Sequence, residues 1–557
     1  MLLSLLLACG EEPLEPGTML TLTLNGGLSE GPGFDLMAEL TGQKSLSLWD
    51  VRQTLRAAND DDAIGGLLLD VKDAQLGSAA LDELADELER FDKPVHALIQ
   101  TDLIEEPELS ATMGADKVWV NPETMWLVNG VQVDVTFLRG VFDKIHVKPE
   151  WIMFKEYKSA GEPYQNHEMS DAMREALTDV IGDLQDHLVS SWIERRGIDR
   201  AKLEAAMARG IFHGEDAKDA GLVDELGYVD QVRDALMAEA GADEWNAMSL
   251  GAYAGRLAKE DKVSGLMPKD DESAEPKIAV VFGEGPIVAA SSGDPWDTDA
   301  KIYGPKIAAD IRDAREDDDV KAIVFRVNSP GGSAVGSDLI WREIELAQEA
   351  GKPVVVSMGD LAGSGGYWVS MGADAIVARP GTITGSIGVV FGKFDLSGLY
   401  EWAGANVESM AFAPNSDVLS PYRSMSDDQR ASIERTIEHL YEHFKAKVAD
   451  GRGIAIAEME EKAKGRIWSG KDAVGKGLVD ELGGLDTAIA LAREKAGVSD
   501  DIEVVAWPAP KPLLEQILEG ELGVQTPELG AEAQLEALFR DLEEPRIWAI
   551  MPDFRLR

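Results

Sequence analysis

One feature constrains the fold of this chain more than any other: its sequence contains two copies of one domain-sized pattern. Residues 154–164 read FKEYKSAGEPY and residues 412–422 read FAPNSDVLSPY, at a spacing of 412 − 154 = 258 positions. The sequence GLVDELG at 221–227 recurs at 477–483, at a spacing of 256 positions. A repeat of this length indicates a duplicated domain rather than a solenoid of short units.

The two copies differ at the residues that could carry chemistry. The second copy has a glycine-flanked serine, Ser364, where the position 258 residues earlier holds Glu106. The first copy has Lys158, where the position 258 residues later holds Ser416. Complementary losses of this kind suggest one composite site, with a serine from one copy and a lysine from the other.

The duplication divides the chain into five segments. We predict a lipobox-like signal or anchor segment at 1–18, an N-terminal repeat at 19–258, a linker at 259–276, a C-terminal repeat at 277–498 and a tail at 499–557. Charges, prolines and the lack of an apolar period are typical of a linker. No role for the tail follows from its sequence.

Each copy alternates short apolar runs with amphipathic stretches. In the second copy, residues 278–282, 322–327 and 352–358 are typical of buried strands. Long amphipathic helices are predicted around 173–188 and 433–448, each preceded by Met-Ser-Asp, which is a favourable N-cap sequence. This alternation predicts an α/β fold in which most strands are parallel.

The charge balance disfavours some classes of partner. The chain has 101 acidic and 53 basic residues, which gives a net charge of −48. Nucleic-acid binding needs clustered lysine and arginine against the phosphates, and anionic lipid surfaces attract the same residues. We therefore expect no nucleic-acid partner and no broad contact with anionic lipid. The acidic balance is typical of a very soluble surface, and recruitment of a basic partner is the alternative.

The N-terminal sequence predicts attachment of the chain to a membrane. The chain has a single cysteine, Cys9, which excludes an intramolecular disulfide. The run MLLSLLLAC is similar to the lipobox of bacterial lipoproteins, in which the cysteine is lipidated. The run is too short to span a bilayer and lacks the positive residues of a secretory signal, so a frayed apolar N-terminus or a misassigned start is the alternative. The preferred interpretation is a chain tethered to a membrane and working outside the cytoplasm.

Ser364 is the candidate nucleophile. It follows an apolar strand and opens a predicted helix. The flanking glycines permit a tight turn at this junction, and such a turn exposes the serine hydroxyl. Free N–H groups at the helix N-terminus can hold a developing oxyanion. The sequence NSPGGS at 328–333 can supply further donors, whereas the first copy has KDA at 72–74 in this region. A purely structural glycine turn is the alternative, and the paired losses in the first copy weigh against it.

Lys158 is the candidate base. A serine nucleophile needs a base, and a lysine can serve if burial lowers its pKa enough to keep it neutral. A solvated surface lysine is the ordinary alternative. The seven histidines lie in no distinctive motif; His439 and His443 share a helix face but lack the glutamate of HExxH, so a zinc site is not favoured there.

Four segments together resemble one family. RVNSPGGS at 326–333, SGGYW at 364–368, TGSIGV at 384–389 and YKSA at 157–160 are similar to the long, duplicated form of bacterial signal peptide peptidase A, also called protease IV, in peptidase family S49. The resemblance covers about residues 19–498. It implies tandem crotonase/Clp-protease-like α/β domains and a membrane-associated serine endopeptidase with a Ser/Lys dyad.

The resemblance also implies a substrate, an assembly and a place. The substrates would be cleaved signal peptides and other unfolded apolar peptides, and no cofactor or metal would be required. The chain would form a homotetramer at the inner membrane or envelope, with the catalytic domain on the periplasmic side.

By the same resemblance, each site residue has a role. Ser364 would be the nucleophile and Lys158 the general base. The other roles fall to Ser386, which would orient the lysine, and to Gly331 and Gly365, which would form the oxyanion hole, with Gly332 as the neighbouring alternative.

Two other classes of protein remain open. A crotonase-like enzyme acting on acyl-CoA uses similar glycine-rich oxyanion loops, but acyl-CoA is cytoplasmic and the N-terminus predicts another compartment. A catalytically inactive membrane scaffold would not need both Ser364 and Lys158.

Overall fold

The structure is a computed structural model that describes residues 13–32, 46–264, 275–290, 300–508, 546–550 and 555–556. Cys9 and most of the predicted anchor segment lie outside these residues. The chain forms two compact units. The first consists of residues up to Gly130 together with Val189–Glu272, and the second of Val131–Leu188 together with the residues from Ser273 onward.

The helices and strands of the N-terminal part follow in chain order. They are β1 Thr18–Gly26, α1 Leu48–Asn59, β2 Ile64–Ala74, α2 Ser78–Glu89, β3 Val95–Ile99, β4 Leu103–Ile104, α3 Glu106–Ser110, β5 Lys117–Val120, β6 Met125–Trp126, β7 Val133–Asp134, α4 Arg139–Lys144, β8 Lys148–Met153, α5 Glu162–Gln165, α6 Asp171–Arg196, α7 Arg200–Met207, β9 Phe212–His213, α8 Gly214–Ala220, β10 Glu225–Leu226, α9 Val229–Ala240, β11 Ala247–Ser249 and α10 Leu250–Ser264.

The remaining elements all belong to the second unit. They are β12 Lys277–Glu284, β13 Ile287–Val288, β14 Ile302–Tyr303, α11 Gly304–Glu316, β15 Val320–Ser329, β16 Gly331–Gly332, α12 Ala334–Glu349, β17 Val354–Gly363, α13 Gly365–Ser370, β18 Ala375–Ala378, β19 Ile383–Gly385, β20 Val390–Asp395, α14 Ser397–Ala403, α15 Asp427–Gly451, α16 Ile456–Lys462, β21 Ile467–Ser469, α17 Gly470–Gly475, β22 Glu481–Leu482, α18 Leu485–Ala496, β23 Glu503–Trp507, β24 Arg546–Ile550 and β25 Arg555–Leu556.

The first unit is built on a six-stranded parallel sheet in the order β10-β5-β3-β2-β1-β11. Its central strands carry Leu67, Leu69 and Leu98, which are fully or almost fully buried. Strands buried on both faces read as continuous apolar runs, as is usual for parallel sheets covered by helices.

The second unit contains the corresponding sheet in the order β21-β19-β17-β15-β12-β23, with β18 beside β17 and β22 beside β18. Its pairs are parallel except β19 with β21. The three strands predicted from apolar runs are confirmed as β12, β15 and β17. Helix α15 is confirmed too, and its N-cap is Ser426 of the Met-Ser-Asp sequence, whose side chain accepts from the Gln429 N–H.

A further sheet of the second unit runs in the order β14-β13-β16-β24-β20-β8. Strand β8 pairs antiparallel with β20, from Lys148 opposite Asp395 to Met153 opposite Val390. Strand β24 pairs antiparallel with both β16 and β20. The predicted tail therefore contributes three strands, because β23 pairs with β12 and β25 pairs with β7.

One segment of the first sequence copy packs in the second unit. Residues Val131–Leu188, which include Lys158, belong to the compact unit of the second copy. The boundaries of the two compact units therefore differ from the boundaries of the two sequence repeats. Among the residues that the structure describes, no helix is long and apolar enough to cross a membrane.

Candidate active site

Ser364 sits at the junction of β17 and α13. It is the N-cap residue of α13, with φ 55° and ψ −109°, a conformation that L-residues seldom adopt. The turn is held by the Ser364 N–H, which donates to the Gly385 carbonyl at 2.8 Å, and by the Trp368 N–H, which donates to the Ser364 carbonyl at 2.8 Å. Backbone strain of this kind is found where a side chain must be aimed at a particular point.

The amine of Lys158 meets the hydroxyl of Ser364. Nζ lies 2.8 Å from Ser364 Oγ, and the lysine is only 1% exposed. Burial holds the pKa of the Lys158 amine well below its usual range, because desolvation disfavours the ammonium form. A neutral amine has a lone pair, so it can accept the proton of the serine hydroxyl.

Ser386 fixes the amine from the other side. Lys158 Nζ lies 3.0 Å from both the carbonyl oxygen and the Oγ of Ser386, and Ser386 is fully buried. Ser386 itself has a positive φ of 51°, and its N–H donates to the Arg466 carbonyl at 2.7 Å. The lysine side chain is therefore oriented by a serine whose own backbone is held by a neighbouring loop.

Two glycines make room for the lysine. A Cβ placed on Gly388 would lie 3.0 Å from Lys158 Cδ, and a Cβ on Gly465 would lie 2.6 Å from the Lys158 backbone nitrogen. The Gly465 N–H donates to the Ile387 carbonyl at 2.8 Å, and the Tyr157 N–H donates to the Lys464 carbonyl at 3.1 Å. The loop around Gly465 thus binds the segments of both the lysine and Ser386.

Arg466 ties this loop to helix α6. Its guanidinium lies 4.7 Å from the ring centroids of both Tyr157 and Trp468. It also pairs with two carboxylates of α6, Glu175 at 2.7 Å and Asp179. A planar cation between two aromatic rings is a favourable and well-oriented contact. The residue therefore fixes the turn that precedes Lys158.

The glycines of β16 lie against the start of α13. Gly365 opens α13, and a Cβ placed on it would lie 3.0 Å from the Gly332 nitrogen. The Gly331 N–H donates instead to the Ser329 hydroxyl at 3.1 Å. Gly331 and Gly332 have positive φ values of 103° and 149°, which suit glycine. Of these two glycines, Gly332 has its nitrogen beside Gly365, whereas the Gly331 N–H already has the Ser329 hydroxyl as acceptor.

The equivalent place in the first unit is filled by a carboxylate. Glu106 opens α3, and one of its carboxylate oxygens accepts from the N–H groups of Asn129 and Gly130 at 2.7 and 2.6 Å. Burial raises the pKa of the Glu106 carboxyl, although the two N–H groups act in the opposite direction. The other sequence-equivalent residue, Ser416, is exposed in the second unit and bonds the Ala413 carbonyl.

The structure therefore brings together the six residues that the sequence predicts for the active site. They are Ser364, Lys158, Ser386, Gly331, Gly332 and Gly365. Sequence reasoning missed Gly465 and Arg466, whose only signal is a Lys-Gly-Arg sequence before a short apolar run. Among the described residues, no group of three or more His, Cys, Asp or Glu side chains is placed to hold a metal ion.

This fold and site define a serine-type peptidase. A sequence profile described as peptidase family S49 matches residues 87–243 and 346–499, more than half of the chain. The chain belongs to peptidase family S49. The two matched regions confirm the predicted tandem duplication, and the helices and parallel sheets of the two units confirm the predicted α/β class.

Three relatives illustrate the similarity. The chain is 30% identical over 534 residues to "Serine protease SPPA, chloroplastic" of Arabidopsis thaliana, with 94% of this chain and 76% of that protein covered. It is 34% identical over 465 residues to "Protease 4" of Salmonella typhi, covering 81% and 72%. It is 34% identical over 186 residues to "Putative signal peptide peptidase SppA" of Enterococcus faecium, covering 33% and 54%.

Proposed function

We propose that this serine peptidase uses Ser364 and Lys158 as a catalytic dyad. Its substrates are signal peptides already released from their precursors and other unfolded apolar peptides. The observation that carries the proposal is the buried contact of 2.8 Å between Lys158 Nζ and Ser364 Oγ. Family membership supports peptide-bond hydrolysis. The names of the relatives, among them a putative signal peptide peptidase, support the substrate.

The chemistry follows from the contacts. The neutral Lys158 amine takes the proton of the Ser364 hydroxyl while Oγ bonds to the peptide carbonyl carbon. The Gly365 N–H and the Gly332 or Gly331 N–H stabilise the oxyanion. The Lys158 ammonium then gives its proton to the leaving amine, which breaks the C–N bond. The same amine then takes a proton from water while the water oxygen bonds to the acyl carbon. The Lys158 ammonium returns that proton to Ser364 Oγ as the C–Oγ bond breaks, which regenerates the serine.

The substrate would bind as an extended strand. Strand β24 pairs with β16, which holds the oxyanion glycines, and with β20, which begins two residues after Gly388. This pairing supports a groove between β16 and β20 that accepts one extended chain through its backbone. Recognition of this kind requires an unfolded peptide and takes its affinity from main-chain hydrogen bonds. Signal peptides released from precursors meet that requirement.

We further propose that the protein acts at the cell envelope. The support is the lipobox-like run ending at Cys9 and the similarity to Protease 4. The catalytic units would lie on the periplasmic side, and the N-terminus would provide the contact with the membrane.

The test is cleavage of a quenched fluorescent signal peptide by the purified full chain. Ser364→Ala and Lys158→Met should each lower kcat by about a thousandfold or more, because neither group acts without the other. Lys306→Met, which removes an exposed lysine on α11, is the matched control and should keep full activity. Full activity in Lys158→Met would exclude lysine as the base. An inactive parent that still binds the peptide would exclude the peptidase.

A further inference from the structure

A buried tyrosine of helix α15 packs against the segment that carries Lys158. Tyr441 is fully buried, and the centroid of its ring lies 5.2 Å from the centroid of the Phe154 ring. Phe154 follows β8, and its N–H donates to the Val389 carbonyl at 3.2 Å. The tyrosine ring therefore fixes the chain four positions before the lysine of the candidate active site.

The hydroxyl of Tyr441 also holds the loop that lies against the lysine segment. It accepts from the Lys464 N–H at 3.2 Å, while the Lys464 carbonyl accepts from the Tyr157 N–H at 3.1 Å. Lys464 has a positive φ of 55°. A non-glycine residue keeps such a conformation only where neighbouring contacts hold it. The tyrosine hydroxyl is thus connected to the residue before Lys158 through the backbone of one intervening residue.

Glu460, on helix α16, connects the same hydroxyl to the start of the turn at residues 155–158. The Tyr441 hydroxyl donates to Glu460 Oε2 at 3.2 Å, and Lys155 Nζ lies 3.1 Å from Glu460 Oε1. The Lys155 carbonyl accepts from the Lys158 N–H at 3.3 Å, and Lys155 also has a positive φ, 75°. Lys445 Nζ donates to Glu460 Oε2 at 2.8 Å. One carboxylate therefore holds both the tyrosine hydroxyl and the first residue of the turn.

The charges around Glu460 fix the direction of these hydrogen bonds. Burial would raise the pKa of the Glu460 carboxyl, but the Lys445 and Lys155 amines outweigh burial and hold that pKa below its usual range. Burial also raises the pKa of the Tyr441 hydroxyl. At neutral pH the tyrosine therefore keeps its proton for Glu460 and offers an oxygen lone pair to the Lys464 N–H.

We propose that Tyr441 and Glu460 are positioning residues, which hold the Lys158 amine at the hydroxyl of Ser364. Tyr441 acts through the backbone of Lys464, and Glu460 acts through the same tyrosine and through Lys155. The inference rests on the proposed function, because it takes Lys158 as the base of the reaction. It assigns a part in that reaction to two residues more than 280 positions away from the lysine in the sequence.

The lysine amine has two hydroxyl contacts that a displaced turn would break. Lys158 Nζ lies 2.8 Å from Ser364 Oγ and 3.0 Å from Ser386 Oγ. A shift of about 1 Å in a reacting group is enough to slow a reaction strongly. The same shift would admit water around the amine, and hydration would let the amine keep its proton up to a higher pH. Loss of the tyrosine hydroxyl should therefore change both the rate and its dependence on pH.

Tyr441→Phe removes the hydroxyl and keeps the ring against Phe154. We expect kcat for the quenched peptide to fall about tenfold and KM to stay within about twofold, because substrate contacts are not altered. The acid limb of the pH profile of kcat should move to higher pH, because this limb reports the deprotonation of the base. A purely structural role for Tyr441 would leave the profile where it is.

The matched control is Tyr253→Phe, in the first unit. Tyr253 is also buried, at 1% exposed, and its hydroxyl donates to Asp61 Oδ2 at 2.9 Å. This variant loses a hydrogen bond of the same kind and should keep the kcat and the pH profile of the parent. Equal losses of kcat in Tyr441→Phe and Tyr253→Phe would overturn the proposal.

A second pair of variants tests Glu460. Glu460→Ala should lower kcat about as far as Tyr441→Phe, and Glu460→Gln, which keeps an acceptor for the tyrosine, should recover part of the loss. Combined with Tyr441→Phe, Glu460→Ala should lower kcat by less than the product of the two single effects, because both act on one turn. Glu442→Ala is the control, since Glu442 also binds Lys445, with Nζ 2.9 Å from Oε1. Parent-like kcat in Glu460→Ala would overturn the role of Glu460.

A serine-directed fluorophosphonate separates this inference from the proposed function, because it reacts with an activated serine in the absence of any peptide. The parent should be labelled at Ser364, and Tyr441→Phe should be labelled about tenfold more slowly, with its acid limb at higher pH. A parent that is not labelled would overturn the dyad and the positioning roles together. A labelled parent and a Tyr441→Phe variant with the same rate and pH dependence would overturn the positioning role alone.

Discussion

Gly465 lies directly against the backbone of Lys158. A Cβ on Gly465 would be 2.6 Å from the nitrogen and 2.7 Å from the Cα of Lys158, and Gly465 has a φ of 80°. Gly465→Ala should therefore displace the amine and lower kcat/KM by about a hundredfold, as misplacement of a reacting group by about 1 Å does. The measurement is steady-state cleavage of the quenched peptide.

The control for this substitution is Gly453→Ala. Gly453 also has a positive φ, 60°, but a Cβ there meets no atom within 4 Å. Both substitutions carry the same backbone cost, about 1 kcal/mol of stability. Equal losses of activity in the two variants would show that backbone strain, and not contact with Lys158, is responsible.

Lys158 should make stability depend on pH in a defined direction. Its folded pKa is lowered, whereas in the unfolded chain it stays near 10.5. Between these two values the unfolded state binds one proton more than the folded state, so stability rises with pH by up to about 1.4 kcal/mol per unit. Relative to Lys158→Met, the parent should gain stability up to pH 10.5 and lose it as pH falls towards the folded pKa. Urea unfolding at several pH values measures the difference, and a difference independent of pH contradicts a neutral lysine.

The C-terminal strand β24 should affect substrate binding. It pairs with both β16 and β20, the two strands proposed to receive the peptide. A chain that ends after Pro545 lacks β24 and should show a lower KM with unchanged kcat, because the peptide no longer displaces a strand. A chain that ends after Ile550 lacks β25 but keeps β24 and should behave as the parent. A higher KM after removal of β24 would mean that this strand helps to bind the peptide.

The Glu106 carboxylate should stabilise the loop at Asn129 and Gly130, because it accepts hydrogen bonds from both backbone N–H groups. Glu106→Ala leaves the N–H groups of Asn129 and Gly130 without this acceptor, at a cost of about 2 kcal/mol. Glu106→Gln keeps a carbonyl oxygen and removes the buried charge. Because burial raises the carboxyl pKa, the parent loses stability relative to Glu106→Gln as pH rises from the ordinary carboxyl pKa through the higher pKa of the folded state. Hydrogen exchange of residues 126–131 measures both effects.

Much of the fold follows from local patterns in the sequence. The duplication, the apolar runs of β12, β15 and β17 and the N-cap at Ser426 all depend on residues close together in the chain, and the structure confirms them. The contact between Lys158 and Ser364 was predicted from a different signal. Each copy lacks the one of these two residues that the other copy contains. The structure places those two residues in contact.

Other parts of the site depend on contacts between distant segments. Arg466 lies between Tyr157 and Trp468, and the sequence spacing of these residues carries no trace of that arrangement. The pairing of β24 with β16 joins residues more than two hundred positions apart. The repeat shows which residues are equivalent, but it does not show that Val131–Leu188 packs with the second copy.

The placement of Val131–Leu188 limits how such a gene can be divided or recombined. A cut in the linker at 259–276 separates the two repeats, yet it also separates Lys158 from Ser364 and leaves Trp151 without the strand it packs on. The N-terminal product would keep the first compact unit but carry Val131–Leu188 without the strands it packs on, and the C-terminal product would lack that segment of its own unit. Crossovers near Gly130 and Leu188 would follow the boundaries of the compact units, which are offset from those of the visible repeat.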